Sequence, residues 1–300
     1  MHSARDVSER TVGEAVPDPP AADVRFTVLG PLELLRDGFD VAPSTPKVLQ
    51  LLALLVMHPN RVVQVDTMVQ ELWENAPPKT VRTTLHTYIY HLRRCIEENE
   101  LAPSGAVTVL ERKPPGYVLR IDPGQVDVFE FHQLQREARE LQAQGRNTEA
   151  AQTYRTALAL WSGPPLSNVP CGSILTASRV ELLEQRRSAL HQRIEADIAS
   201  GRHHELIGEL RSLTTRNPLD EALHGQLMLA LGRSGRRSDA LRVYRDFRSQ
   251  LAGELGVEPA DELQTLHQNL LTEGEARLRP GGPHPGRPAA APTGEMRHDA

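Results

Sequence analysis

"PPKTVRTTLHTYIYHLRRCI", residues 77–96, has two different faces when wound as a helix. At 100° per residue, Val81, Ile89, Leu92 and Ile96 fall within about 40° of Leu85, an apolar stripe that needs a core to cover it. The opposite face, at roughly 140–220°, carries Thr80, Thr83, Thr87, Tyr90 and Arg94, with Lys79 and His91 at its margins. No acid interrupts it before Glu97. Threonines on an exposed face lower helix propensity relative to Glu, Lys or Ala, so helix stability alone does not account for them. Thr and Tyr hydroxyls bond phosphates or base edges, a Thr methyl meets the thymine methyl, and Arg takes guanine bidentately in the major groove. The bland alternative is a solvated surface helix.

The flanks give this helix a context. "VRFTVLGPLELLRDGFDVA" alternates Phe26/Val28 and Leu32/Leu34, with turn signals at Gly30-Pro31 and Asp37-Gly38, and reads as a small antiparallel sheet. "STPKVLQLLALLVMHPN" reads as a helix with Ser44 or Thr45 as N-cap, Pro46 in its first turn and Pro59 beyond its end. "VQVDTMVQELWENAPP" sets Val65, Met68, Val69 and Leu72 at helical spacing and stops within Asn75 to Pro78. After residues 77–96, "VTVLERKPPGYVLRID" offers two short β-rich runs joined by "RKPPG". A sheet, three helices and a hairpin follow the order of a winged helix-turn-helix. Arg112 and Lys113 at the hairpin tip suit a wing that touches phosphates or the minor groove, against the plainer reading of a charged turn.

From Val126 to about Leu278 the pattern is helical throughout. Gly145-Arg146, Gly201-Arg202 and Gly235-Arg236 each stand where one amphipathic helix ends and another begins. The step from Gly201 to Gly235 is 34 residues, the tetratricopeptide period, in which stacked helix pairs share a core that no pair could bury alone. The expected architecture is therefore multidomain: an α+β winged helix-turn-helix with an N-terminal antiparallel sheet at 23–122, then an all-α tetratricopeptide-like domain at 123–278. Residues 1–22 and 279–300 lack periodic apolar positions and are expected to be disordered tails.

Composition limits the function classes. The 300 residues suit two domains of ~100–200 residues each. The net charge of −5 argues against a protein that is basic all over, and residues 24–122 are balanced at 11 Lys+Arg against 11 Asp+Glu. Positive charge is concentrated instead in Lys79, Arg82, Arg93 and Arg94. The mostly apolar stretch "VLQLLALLVM" is only ten residues, and no stretch approaches the roughly 18 apolar residues that span a bilayer, so no membrane partner is expected. No secretory signal opens the chain, and two isolated cysteines fit reduced thiols in a cytoplasm. His91 and Cys95 stand at i, i+4, but no second ligand pair joins them, and no metal or other cofactor is expected. "PPKT" ends like a phosphate loop without its glycines. With no nucleophile elbow and no paired carboxylates distinct from surface charge, no catalytic site is expected.

Together "FTVLGPLEL", "PKVLQLLALLVMHPNRVVQVDTMVQELWENAPPKTVRTTLHTYIYHLRR" and "PGYVLRID" resemble the OmpR-type winged helix of the Streptomyces antibiotic regulatory protein family. "ALALWSGPPLSNV" and the stretch from Gly201 to Pro259 resemble its bacterial transcriptional activation domain. The resemblance implies a small activator, not an enzyme, that binds tandem direct repeats in double-stranded promoter DNA near the −35 element. It further implies recruitment of RNA polymerase holoenzyme with its sigma factor, self-association on DNA, a cytoplasmic, nucleoid-associated location and control of a secondary-metabolite gene cluster. On that basis the DNA-facing residues are Lys79, Thr80, Thr83, Thr87, Tyr90, His91 and Arg94 on the recognition helix and Arg112 and Lys113 on the wing. Lys47 and Arg61 at helix ends would contact phosphates. Two other functions fit the same pattern less well: a protein-interaction scaffold built on the helical repeats, and a regulator that senses a ligand between packed helices.

Overall fold

The computed structural model describes residues 24–74, 76–99 and 109–278, without the side chains of 273–278. The two expected tails lie outside the described residues. The chain forms two compact units, Met1–Arg193 and Ile194–Ala300.

The first unit begins with an antiparallel sheet of β1 (Val24–Thr27), β2 (Glu33–Arg36) and β3 (Phe39–Asp40), in which Phe26 stands opposite Leu34. Asp37 and Gly38 turn the β2–β3 hairpin with φ of 51° and 84°, the two positive angles of a type I′ turn. Helix α1 (Pro46–Val56) follows, with Thr45 at its N-cap and Pro46 in its first turn, although the Thr45 side chain makes no capping bond. Every residue from Val48 to Val56 is buried, which explains the unbroken apolar run: α1 is covered all round.

Next come β4 (Val63–Gln64), α2 (Val65–Trp73) and α3 (Val81–Glu98), then the hairpin β5 (Leu110–Lys113) and β6 (Gly116–Leu119) in a sheet ordered β4-β6-β5. Gly116 is required where it stands, because a Cβ there would lie 1.8 Å from the Val63 carbonyl oxygen of the neighbouring strand. Leu85, Ile89, Leu92 and Ile96 bury the apolar stripe of α3 as expected. The helix starts at Val81 rather than Lys79, with Thr80 as N-cap.

Beyond a 3₁₀ turn at Pro123–Gln125, the first unit continues with α4 (Asp127–Ala143), α5 (Asn147–Ala159) and the start of α6 (Ser173–Ala199). Three polar side chains join these elements to the winged helix. Buried Asp127 accepts from the backbone N–H groups of Val28 at 2.9 Å and Leu29 at 3.0 Å. Asn168 accepts from Leu32 N–H at 2.7 Å and donates to its carbonyl at 3.0 Å. Glu71, 1% exposed, accepts from the N–H groups of Gly172 at 2.6 Å, Ile174 at 2.9 Å and Leu175 at 3.1 Å, so a carboxylate of α2 caps the N-terminus of α6. Gln50 on α1 donates to both the carbonyl and the carboxylate of Glu71.

The second unit contains α7 (His203–Arg216), α8 (Glu221–Arg233), α9 (Arg237–Leu255) and α10 (Asp261–Leu278). The Gly-Arg repeat has one local geometry throughout the chain. Gly145, Gly201 and Gly235 adopt φ of 76°, 87° and 75°, and the following Arg N–H bonds the carbonyl five residues back, on Leu141, Asp197 and Leu231. These are Schellman endings, which favour glycine at the left-handed position. Each arginine then pairs with the acid three residues on, Glu149, Glu205 or Asp239, at the start of the next helix.

Candidate nucleic-acid interface

The outer face of α3 presents Thr83, Thr87, Tyr90, His91 and Arg94 to solvent, with exposed Lys79 and Thr80 just ahead of its first turn. The Thr87 hydroxyl donates to the Thr83 carbonyl at 3.1 Å, which fixes its rotor while leaving oxygen lone pairs to accept. Tyr90 is 60% exposed, an unusual place for a ring of that size, and stands edge-on to His91 at 5.7 Å. Arg94 bonds Glu98 at 2.6 Å one turn further on, and that hydrogen bond together with the Glu98 charge raises the guanidinium pKa. Both side chains are exposed, so the pair is weak and leaves the guanidinium free to exchange Glu98 for another partner.

Arg112 and Lys113, both exposed, end β5 at the hairpin tip, opposite Tyr117 and Gly116. Between the wing and α3 lies a cavity of about 310 Å³ lined by Arg112, Pro114 and Pro115 on one side and Arg82 and His86 on the other. Arg82 and His86 are exposed on the flank of the helix; the sequence marks Arg82 only as part of a local run of positive charge and does not mark His86 at all. Only the position of the wing, which periodicity does not report, makes them part of the same surface. A second cavity, of about 560 Å³, gathers Arg93, Arg112, Lys113 and Arg120 with Glu97 and Glu111. Arg93 itself holds the wing to α3: its Nε donates to the Leu110 carbonyl at 3.2 Å and its guanidinium lies over the Tyr117 ring at 5.8 Å.

The two remaining expected contacts have different settings. Arg61 is exposed in the turn between α1 and β4. Lys47 is half-buried, and its ammonium donates to Gln50 Oε1 at 3.1 Å and to the Leu72 carbonyl, so it is committed to packing α1 against the end of α2. The Cys95 thiol donates to the Val41 carbonyl, and burial pushes its pKa up. Among the described residues there is no group of three metal-ligating side chains, and no helix is long and apolar enough to cross a membrane.

A two-faced helix beside a basic wing, followed by paired helices with repeated caps, defines a winged-helix transcription regulator with an all-α activator domain. Residues 41–119 match the family described as "Transcriptional regulatory protein, C terminal", and residues 126–271 match "Bacterial transcriptional activator domain". The chain is 38% identical over 270 residues to the regulatory protein DnrI of Streptomyces peucetius, covering 89% of this chain and 98% of that one. It is 35% identical to AfsR of Streptomyces coelicolor, covering 88% of this chain but 26% of that larger protein. The solved structure of Mycobacterium tuberculosis EmbR in complex with a low-affinity phosphopeptide superposes with a TM-score of 0.79 at 34% identity, covering 84% of this chain and 66% of that one. The chain belongs to the Streptomyces antibiotic regulatory protein family of transcriptional activators.

Proposed function

We propose that this activator binds tandem direct repeats beside a promoter −35 element, several protomers in a row, and recruits RNA polymerase holoenzyme with its sigma factor to a secondary-metabolite gene cluster. It works at the nucleoid in the cytoplasm and needs no catalysis. The winged helix at 23–122 reads the DNA, and the helical part at 123–278 supplies the protein-facing surface. One observation carries the reading: the exposed Thr83/Thr87/Tyr90/Arg94 face of α3 carries no acid until its last turn, where Glu98 pairs with Arg94, and the Arg82/His86 flank of the same helix faces Arg112 of the wing. Thr83, Thr87, Tyr90 and Arg94 would meet base edges, joined by His91. Lys79, Thr80, Arg112, Lys113 and Arg61, together with Arg82 and His86, would meet phosphates or the adjacent groove. Lys47 would reach a phosphate only by leaving Leu72. At about −0.9 per phosphate neutralised, five or six such contacts give a salt slope near −5 per protomer.

The test is footprinting of the full chain on its own promoter region and those of neighbouring genes, with Arg94→Ala as control. Protection of tandem repeats is expected, weakened by about 1–3 kcal/mol per site in the variant through loss of one bidentate contact. If low salt gives no protection on any of these promoters, the α3 face would be assigned to a protein partner and the chain to the scaffold class.

A further inference from the structure

The second unit contains a cavity of about 520 Å³ between the last turn of α6, α8 and α10. Ile198, Leu229, Leu263 and Leu266 give it an apolar floor, and Glu195, Glu221 and Glu262 stand around it with Arg233 as the one cation. The Arg233 guanidinium donates to the Ile198 carbonyl at 3.0 Å, and Glu221 accepts from Ala260 N–H at 2.8 Å. Glu195 and Glu262 are exposed. The formal balance of the lining is three carboxylates against one guanidinium. The size lies within the range of small-molecule sites, a few hundred to about 1,000 Å³.

The glycines of α8 give an independent reason to regard the cavity as kept open. A helix-interior glycine costs about 0.5–1 kcal/mol relative to alanine. Gly232 has a packing reason, because a Cβ there would lie 2.7 Å from Leu270 Cδ2. Gly225 lines the cavity, and a Cβ there would meet only Leu263 Cδ1 at 3.4 Å, an ordinary contact. A methyl group at 225 would therefore fit and strengthen the helix, and a longer side chain would extend into the cavity that Gly225 lines.

We propose that this cavity binds a small apolar cation, a hydrophobic amine or a planar heteroaromatic cation, with its body on the leucine floor and its charge among Glu195, Glu221 and Glu262. The ligand would act on the helical unit, separately from the DNA-facing surface of α3. The volume of this partly open cavity suits a compact molecule, and the carboxylate surplus selects its sign.

Titration of the full chain with berberine, a permanent planar cation that fluoresces in apolar surroundings, tests this, with anionic 1-anilinonaphthalene-8-sulfonate as the opposite-charge control. Saturable one-site berberine binding is expected, weakened about tenfold by Glu195→Gln with Glu262→Gln and by raised salt. Gly225→Leu should abolish it while the melting temperature holds or rises, which separates a filled cavity from a misfolded unit; Leu229→Trp should do the same. Three outcomes would overturn the proposal: no saturable binding, berberine binding indifferent to both cavity-filling variants, or equal binding of the anion. Binding of a basic amphipathic helical peptide where berberine fails would reassign the groove to a protein partner.

Discussion

Glu71 places the largest energetic demand on the smallest change. Its carboxylate is the acceptor for three backbone N–H groups at the start of α6 and for the Gln50 amide, in a site where the side chain is 1% exposed. Glu71→Ala strips all four donors of this partner. The Gln50 amide keeps the Glu71 carbonyl, so three donors are orphaned. At about 1–3 kcal/mol for each buried unsatisfied donor, and with partial rescue by entering water, the loss comes to roughly 4 kcal/mol. That is a large share of the ~5–15 kcal/mol by which a domain is stable. Glu71→Gln keeps one acceptor oxygen but turns an NH₂ toward the remaining donors, for about half the loss. Urea unfolding followed by tryptophan fluorescence reads the effect cleanly, since the chain's two tryptophans, Trp73 and Trp161, both lie in the first unit. The midpoint should fall in the order wild type, Gln, Ala with unchanged slope. An Ala variant within 1 kcal/mol of wild type would refute the capping role.

Other consequences are as direct. Burial pushes the Asp127 carboxyl up to about 6, against the bonds from Leu29 and Val28 that hold it down, so the folded state takes up a proton more readily than the unfolded chain. This contribution is complete below pH ~4 and lost as pH rises through ~6, so the stability of wild type relative to Asp127→Asn should improve by up to roughly 3 kcal/mol between pH 7.5 and 4; a flat difference in urea titrations would contradict it. Gly116→Ala, with its Cβ 1.8 Å from the Val63 carbonyl, should lower stability by roughly 3 kcal/mol and uncouple the wing from DNA, whereas Gly235→Ala, with nothing within 4 Å, should cost only about 1 kcal/mol in a melting comparison. A fragment of residues 1–193 should unfold cooperatively, while 1–122, which lacks Asp127, Asn168 and the α6 terminus, should give poorly dispersed amide spectra; a well-dispersed 1–122 would show the winged helix to be self-sufficient.

What the sequence disclosed and what it withheld divide along a physical line. The two faces of α3 and the Gly-Arg helix junctions were legible because each is decided by residues within a turn or two. Periodicity assigns Leu85 and Ile89 to the core, and a left-handed cap asks for glycine wherever it occurs. Arg93 and Arg82 were harder, since one clamps the wing and the other faces it only because β5 and β6 fold back against α3. Glu71 and Asp127 were silent. In "MVQELW" and "QVDVFE" a carboxylate reads as solvated helix polarity, and the donors it meets lie about a hundred residues away in sequence.

That silence has a reason in the chemistry. The Glu71 carboxylate accepts from backbone amides and one side-chain amide, and Asp127 mainly from backbone amides. A carboxylate answered by amides needs no complementary residue type, so no charge pattern marks the pairing. Replacing either acid by a hydrophobe of similar size would leave the N–H groups of α6 or of Val28 and Leu29 without acceptors, so apolar packing cannot substitute for them. The α3 face proposed to meet DNA can therefore be read from the periodicity of one helix. The contacts that hold this helix's domain against the first helices of the activator domain depend on main-chain geometry, which only the assembled fold displays.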